Sequence, residues 1–212
     1  MSENRLKGLY VITDEDLINE DQFKHIIESA LQGGASIIQY RDKSDDQEKR
    51  LHQARILRSL CEQYQTLCLI NDDIELARAV GADGVHLGKE DASISQARAV
   101  LGTNAIIGIS CYDDIPLALT AEKNNADYVA FGAIFSSRTK KDAKVAGLEI
   151  LSRAEQQLSL PICAIGGITR DNVESVIESG ADMVAVISSV FTAKDTRQST
   201  KELNRHFLSL AD

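Results

Sequence analysis

Gly81-Ala82-Asp83-Gly84-Val85 has three counterparts elsewhere in the chain: Gly34-Ala35-Ser36-Ile37-Ile38, Asn125-Ala126-Asp127-Tyr128-Val129 and Gly180-Ala181-Asp182-Met183-Val184. Each begins with Gly or Asn, which suits the left-handed residue that ends a helix. Each then continues through Ala and a short polar residue into an apolar run. The four alanines are separated by 47, 44 and 55 residues, which leaves room for two strand–helix units per step. The repeat therefore indicates eight units and a closed, repetitive architecture.

Eight short apolar runs are the strand candidates, and longer helical patterns lie between them. The runs are Leu9–Thr13, Ser36–Tyr40, Leu67–Ile70, Gly84–Leu87, Ile106–Ile109, Tyr128–Phe131, Ile162–Ile165 and Met183–Ile187. Near-continuous apolar runs are typical of parallel strands that are covered on both faces. We therefore predict an α/β fold, a compact single-domain (β/α)8 TIM barrel over residues 1–212. The alternative is an open doubly wound sheet, but the first strand–helix turn has no G-x-G-x-x-G motif for a dinucleotide.

Composition limits the partners of the chain. Its 212 residues have a formal charge of −9, which disfavours nucleic acid and anionic membrane surfaces but allows a small anionic ligand in a local basic cluster. No apolar run reaches the roughly 18 residues of a membrane span, and the polar N-terminus does not resemble a signal peptide. The four cysteines form no C-x-x-C pair, so we expect reduced thiols in a cytoplasmic protein. A homo-oligomer is left open.

Strand 2 ends in Gln39-Tyr40-Arg41-Asp42-Lys43, at the edge where barrels of this type hold their chemistry. Alternation places Gln39, Arg41 and Lys43 on one side of the strand, as one amide and two cations. This trio suits an anionic ligand with a polar ring or a phosphate. A solvated charged loop is the alternative, because several more charged residues follow within a few positions.

Carboxylates follow the next two strands. Strand 3 ends in Asn71-Asp72-Asp73, and strand 4 continues through His86 to Asp91. Oxygen ligands at neighbouring strand ends suit Mg²⁺, which completes its coordination with substrate phosphates and water. Helix capping by Asp72, Asp73 or Asp91 is an equally good explanation. We expect His86 to be a hydrogen-bonded barrel histidine rather than a metal ligand, because no second histidine occupies a strand end.

The remaining strand ends are rich in hydroxyls, cations and glycines. Strand 5 leads to Ser110, and strand 6 leads into Ser136-Ser137-Arg138-Thr139-Lys140-Lys141. Strand 7 is followed by Gly166-Gly167, and strand 8 by Ser188-Ser189. The loops after strands 7 and 8 are the usual phosphate site of this fold. Together the strand ends predict two anion sites, a Mg²⁺-assisted one near strands 2 to 6 and another near strands 6 to 8.

These motifs resemble those of the thiamine phosphate synthase family, in order and spacing, from about Leu9 to Phe191. They are Gln-Tyr-Arg-x-Lys at 39–43, Asn-Asp at 71–72, Val-His-Leu-Gly-x-Glu-Asp at 85–91, Gly-x-Ser at 108–110, Thr-Lys at 139–140, Gly-Gly-Ile at 166–168 and Ile-Ser at 187–188. The resemblance implies a transferase that joins 4-amino-2-methyl-5-pyrimidinylmethyl pyrophosphate to a thiazole phosphate and releases pyrophosphate. It also implies Mg²⁺ as cofactor and a dissociative substitution.

The resemblance assigns a role to each matching residue. The pyrimidine pyrophosphate would be bound by Gln39, Tyr40, Arg41, Asp42, Lys43, Asn71, Ser110 and Lys140, of which Arg41, Lys43 and Lys140 would be catalytic. The thiazole phosphate would be bound by Ser137, Arg138, Thr139, Gly167, Ile187 and Ser188, and Mg²⁺ by Asp72 and Asp91. The chain departs from the residues common in the family at Ser136-Ser137, Lys89 and Cys111-Tyr112. These departures bear on how finely the substrates are recognised and not on the class of reaction.

Three alternatives to this function remain at the level of sequence. A thiazole tautomerase of the same superfamily would need no pyrophosphate site, so Arg41, Lys43, Asp72, Asp91 and Lys140 speak against it. A barrel-type phosphate-sugar isomerase would need a base for proton transfer at a strand end. A non-catalytic barrel that senses a ligand would show no turnover.

Overall fold

Within the residues that the structure describes, 5–136 and 145–208, eight parallel strands close into a barrel. Each strand pairs with the next along the chain, and the last pairs with the first. The structure is a computed structural model. The strands are β1 (Gly8–Ile12), β2 (Ile37–Tyr40), β3 (Leu67–Asn71), β4 (Gly84–Leu87), β5 (Ile106–Tyr112), β6 (Tyr128–Phe131), β7 (Ile162–Ile165) and β8 (Met183–Val186). The predicted barrel is confirmed, and the open sheet is wrong.

Helices surround the barrel. They are α1 (Phe23–Gln32), α2 (Gln47–Gln63), α3 (Ile74–Val80), α4 (Ile94–Leu101), α5 (Ile115–Lys123), α6 (Glu149–Glu155), α7 (Val173–Glu178), α8 (Ser188–Phe191) and α9 (Thr196–Leu208). Side chains of Asp46, Asp73, Ser93 and Asp114 cap the first turns of α2 to α5, and this satisfies backbone donors that a helix leaves unpaired. None of the described helices is long and apolar enough to span a membrane.

The strands are apolar throughout because both of their faces are buried. In β1, Leu9 and Val11 join the large core between strands and helices, whereas Tyr10 and Ile12 join a smaller core inside the barrel. Successive residues thus point to opposite faces, as strand geometry requires. The inner core includes two tyrosines, Tyr10 and Tyr128, so the barrel interior also contains polar atoms.

The four-fold sequence repeat has a structural cause. Its first residues all have positive φ values of 63–102°, at Gly34, Gly81, Asn125 and Gly180, as the helix-ending role predicts. The aspartates of three repeats each accept a hydrogen bond from a backbone N–H of the preceding strand. Cys68 donates to Asp83, Ile107 to Asp127 and Ile162 to Asp182. We call these three contacts the aspartate clasps. They join β3 to β4, β5 to β6 and β7 to β8 at the end of the barrel where the strands begin.

Most predicted strand ends lie within one residue of those observed, and β5 is the exception. It was predicted to end at Ile109 and continues to Tyr112. Its register against β6 shifts between Ser110 and Tyr112, and Tyr112 has a φ of 55°. Such a bulge bends a strand and re-aims its side chains. It depends on pairing with β6, which local residue types do not encode.

Candidate active site

Carboxylates from the segment after β1 hold the Arg41 side chain and the Lys43 backbone at the end of β2. Arg41 Nη1 lies 3.5 Å from Glu15 Oε2 and 3.9 Å from Asp14 Oδ2. The backbone N–H of Lys43 donates to Glu15 Oε1 over 2.9 Å. Thr13 Oγ1 also accepts from the Arg41 N–H at 2.8 Å. The sequence interpretation missed Asp14 and Glu15, although two acidic residues at a strand end were a usable signal.

Two further carboxylates lie at the ends of β3 and β4, and the first of them contacts Lys43. Asp72 Oδ2 is 2.5 Å from Lys43 Nζ and accepts from Asn71 Nδ2 at 2.6 Å. Asp91 Oδ2 accepts from the Gly88 N–H at 2.7 Å. Burial, and then the neighbouring Asp72 carboxylate, raises the pKa of Asp91. A carboxylate whose charge is disfavoured by a second carboxylate is stabilised by a cation between them.

Capping does not account for these two aspartates. The residue that caps α3 is Asp73, which accepts from the Leu76 N–H, and the residue that caps α4 is Ser93. Asp72 has a φ of 60°. Its backbone conformation therefore differs from that of the extended Asp73, and the two side chains have different contacts. No cluster of three or more metal-ligating side chains occurs in the described part of the chain. Two neighbouring carboxylates are a donor set that suits Mg²⁺, which usually takes one or two carboxylates and completes its shell with substrate phosphates and water.

Beneath the mouth of the barrel, five side chains form a continuous chain of hydrogen bonds. Gln39 Nε2 donates to Tyr10 Oη at 2.6 Å, and Tyr10 Oη lies 3.0 Å from Tyr128 Oη. Tyr128 Oη is 2.8 Å from His86 Nδ1, and His86 Nε2 is 2.8 Å from Ser110 Oγ. The expectation of a hydrogen-bonded barrel histidine is confirmed. Tyr10 and Tyr128 were missed as polar residues because they lie within apolar runs.

Burial determines whether the hydrogen-bonded side chains His86 and Tyr128 are charged. Desolvation lowers the pKa of His86 to about 4, and the Asp91 charge offsets only part of that shift. Desolvation also raises the pKa of Tyr128 well above its ordinary value. The imidazole and the phenol are therefore both uncharged near neutral pH. A neutral histidine donates from one ring nitrogen and accepts at the other.

Two predicted substrate residues face the helices instead of the mouth. Tyr40 is buried, donates to Gln53 of α2 at 3.1 Å and packs edge-on against Phe23 of α1. The Asp42 carboxylate lies 2.8 Å from Lys49 Nζ of α2. Burial alone would raise the pKa of Asp42, but hydrogen bonds from Lys49 and Ser44 together lower it. These contacts hold the end of β2 against α2, and the assignment of Tyr40 and Asp42 to the pyrimidine pyrophosphate stays a prediction.

On the far side of the mouth, the segments after β7 and β8 are tied together. Gly166 and Gly167 have φ values of 101° and 65°, and a Cβ on Gly167 would collide with the backbone at Ser136. The Ser189 hydroxyl donates to the Ile168 carbonyl, so Ile187 and Ser188 lie beside the glycine turn. The predicted site residues Ser137, Arg138, Thr139 and Lys140 lie outside the described residues.

Comparisons with known proteins place the chain close to one family in sequence and in fold. The family model of thiamine monophosphate synthase matches residues 9–190. A thiamine-phosphate synthase of Nitrosococcus oceani is 49% identical, over 96% of this chain and 94% of that protein. One of Thioalkalivibrio sulfidiphilus is 48% identical, over 96% of each chain. A solved thiamine phosphate pyrophosphorylase of Pyrococcus furiosus superposes with a TM-score of 0.89 at 40% identity, covering 99% of this chain and 98% of its own.

Proposed function

The chain belongs to the thiamine monophosphate synthase family, and on this premise we propose how its residues carry out the transferase reaction. The substrates are 4-amino-2-methyl-5-pyrimidinylmethyl pyrophosphate and 4-methyl-5-(2-phosphooxyethyl)thiazole. The products are thiamine monophosphate and pyrophosphate. One observation supports this best: at three consecutive strand ends, Lys43 contacts Asp72, Asp72 neighbours Asp91, and Arg41 adds a second cation two residues before Lys43.

The pyrophosphate of the first substrate binds at this charged cluster. Arg41 can bind phosphate through two N–H donors, and Lys43 supplies a compact positive charge. Asp72 and Asp91 would hold Mg²⁺, which would supply further positive charge at the same leaving group. In the structure Arg41 is paired with Glu15 and Lys43 with Asp72. Pyrophosphate must therefore displace internal carboxylates from these cations as it binds.

The reaction breaks the bond between the methylene carbon and the pyrophosphate oxygen, and the bonding electrons leave with pyrophosphate. The positive charge that remains is delocalised into the aminopyrimidine ring. The thiazole nitrogen then supplies its lone pair to the methylene carbon. The protein contributes charge stabilisation and positioning. Gln39 and Ser110 hold the ring, and the predicted Lys140 adds a further cation at the leaving group.

The thiazole phosphate binds opposite, at Gly167, Ile187 and Ser188 with the predicted Ser137, Arg138 and Thr139. The support is the left-handed glycine turn after β7, tied to the start of α8 through Ser189. We place the reaction in the cytoplasm, which is supported by four buried cysteines that are all free thiols.

A direct assay tests the proposal. The purified chain is incubated with both substrates, and pyrophosphate and thiamine monophosphate are quantified with Mg²⁺, without added metal and with EDTA. We expect equimolar products with Mg²⁺ and none with EDTA. Full activity with EDTA would contradict the metal assignment. Absence of both products with Mg²⁺ would contradict the function, and isomerisation of a thiazole phosphate in its place would support the tautomerase alternative.

A further inference from the structure

The hydrogen-bond chain from Gln39 to Ser110 crosses the inside of the barrel. Its members come from five different strands, β2, β1, β6, β4 and β5. Gln39, Tyr10 and Tyr128 are at most 2% exposed. Its two ends, Gln39 and Ser110, are the residues proposed to hold the pyrimidine ring. The three middle residues, Tyr10, Tyr128 and His86, have no assigned role in the reaction.

One direction lets each donor of this hydrogen-bond network find an acceptor, starting from the Gln39 amide nitrogen. Gln39 Nε2 donates to Tyr10 Oη, so the Tyr10 O–H donates onward to Tyr128 Oη. Tyr128 in turn donates to His86 Nδ1. A neutral imidazole that accepts at Nδ1 carries its proton on Nε2, and this N–H donates to Ser110 Oγ. Each link thereby sets the direction of the next.

The direction has consequences at both ends. The chain uses the amide nitrogen of Gln39, so Gln39 Oε1 is the atom that can accept from a ligand. Ser110 accepts from His86, so its own O–H proton can be donated to a ligand. The two ends thus present one acceptor and one donor.

Ring packing holds the middle of the chain in this geometry. The Tyr128 ring stacks on His86 at 5.5 Å between centroids and meets the Tyr10 ring edge-on at 6.2 Å. A Cβ on Gly108 would overlap the Tyr128 ring, so the glycine two residues before Ser110 makes the space for it. The same stretch of β5 therefore admits the tyrosine and supplies the terminal hydroxyl.

We propose that Tyr10, Tyr128 and His86 are positioning residues that orient Gln39 and Ser110 to select a 4-aminopyrimidine over its 4-oxo analogue. The 4-amino group donates to Gln39 Oε1, and the adjacent ring nitrogen accepts from the Ser110 O–H. A 4-oxo ring has a carbonyl and a ring N–H at these positions, so both contacts are mismatched. Mismatched buried polar groups give strong discrimination. This inference rests on the proposed function.

The kinetic test uses Tyr128→Phe, which removes one hydroxyl and keeps the ring. We expect kcat/KM for the amino substrate to fall about tenfold, and the amino-to-oxo ratio of kcat/KM to fall at least as much. Ser110→Ala should lower both quantities similarly, and the double variant should lose clearly less than the product of the two single losses, because part of the effect of Tyr128 passes through Ser110. Multiplicative losses in the double variant, or an unchanged ratio in Tyr128→Phe, would overturn the proposal.

A matched control removes another buried hydroxyl. Thr66→Val deletes the hydrogen bond from Thr66 to the Ala35 carbonyl just before β3, at the opposite end of the barrel. It should lower stability without changing the amino-to-oxo ratio. A change in the ratio equal to that of Tyr128→Phe would assign the effect to general loosening of the barrel and overturn the proposal.

Nitrogen NMR of the histidine rings tests the direction without any turnover. We expect the His86 resonances, assigned by their loss in His86→Gln, to show one neutral tautomer with the proton on Nε2. Tyr128→Phe should remove that preference, and Tyr10→Phe serves the same purpose if Tyr128→Phe does not fold. A proton on Nδ1 in the wild-type chain would overturn the proposal. If the wild-type protein makes no product but His86 is the Nε2 tautomer, the proposed function is contradicted and the direction of the hydrogen bonds is not.

Discussion

At the scale of single residues, the neighbours Asp72 and Asp73 show how backbone conformation separates two identical side chains. Asp73 is extended and caps α3, whereas Asp72 has a positive φ and lies beside Lys43. Asn tolerates positive φ at least as well as Asp. The substitution Asp72→Asn therefore tests the charge without adding backbone strain.

We expect Asp72→Asn to lower kcat/KM at least a hundredfold at fixed Mg²⁺ and to leave the free energy of unfolding nearly unchanged. Asp73→Ala should do the reverse, because loss of a helix cap costs about 1 kcal/mol of stability. Steady-state kinetics and urea denaturation of both variants check this. Equal activity losses in the two variants would contradict the division of roles.

Arg41 is expected to contribute more to the transition state than to substrate binding. Negative charge on the leaving pyrophosphate grows as the carbon–oxygen bond breaks, so a contact that strengthens with that charge lowers the barrier. Lysine retains the charge but cannot form two parallel N–H contacts. Arg41→Lys should therefore lower kcat more than it raises KM for the pyrimidine substrate. Single-turnover rates decide between this and a pure binding role, for which KM alone would change.

His86 should make the stability of the fold depend on pH. The pKa of the ring is about 4 in the fold and about 6.5 in an unfolded chain. Between these values the unfolded chain binds a proton that the folded chain does not. The free energy of unfolding should therefore fall as pH drops from 6.5 towards 4, by at most about 1.4 kcal/mol per pH unit.

Urea denaturation in EDTA at pH 7.0, 6.0 and 5.0 measures this slope. His86→Gln should show a shallower slope than the wild type, because the other titrating groups are shared. Parallel slopes in the two proteins would show that His86 is not buried as a neutral ring.

At the scale of elements, the segment after β1 holds the end of β2 in position. Glu15 contacts both the Arg41 guanidinium and the Lys43 N–H, so it holds the cation cluster in place and also competes with pyrophosphate for Arg41. Neutralising it should favour the anionic ligand.

We expect Glu15→Gln to bind inorganic pyrophosphate two- to fivefold more tightly, the range of a partly exposed charge pair, and to be inhibited by it at lower concentration. Isothermal titration in the presence of Mg²⁺ measures the dissociation constant. Glu20→Gln, in the short turn before α1, is the control for net charge. Weaker binding in Glu15→Gln would mean that Glu15 helps pyrophosphate more by positioning Arg41 and Lys43 than it hinders it by pairing with Arg41.

Elements also show what a sequence can and cannot predict. Apolar runs located all eight strands, because burial on both faces leaves a continuous pattern from Leu9 onward. Strand-end polarity located Gln39, Arg41, Asp72 and Ser110. The contacts of Tyr10 with Gln39 and of Tyr128 with His86 were not predictable, since each joins side chains of two different strands inside the barrel, and no local pattern encodes such a contact. The outward orientation of Tyr40 was also missed, because alternation was applied to its neighbours alone.

At the scale of the whole molecule, stability and chemistry lie at opposite ends of the barrel, a division common to this fold. Asp127 illustrates it. Its carboxylate accepts from the Ile107 N–H at 2.7 Å and from Arg98 at 2.6 Å. Asp127→Ala leaves the N–H of Ile107 and the Arg98 guanidinium without this acceptor.

We expect Asp127→Ala to lose about 2 kcal/mol of unfolding free energy and to keep kcat/KM within twofold of wild type at 20 °C. Urea denaturation and steady-state kinetics test both parts. Asp127→Asn retains an acceptor oxygen and should recover part of the stability. A kinetic defect in Asp127→Ala at a temperature where it is fully folded would contradict the separation of the two ends.

The aspartate clasps divide the barrel into pairs of strands. Each clasp lies within a pair, β3 with β4, β5 with β6 or β7 with β8. A chain opened between α4 and β5 would therefore separate no clasp aspartate from the strand it binds. Two half-barrel polypeptides divided there each retain their own clasps and meet through backbone pairing at β4–β5 and β1–β8. The architecture is thus suited to reassembly from halves and to circular permutation at that junction.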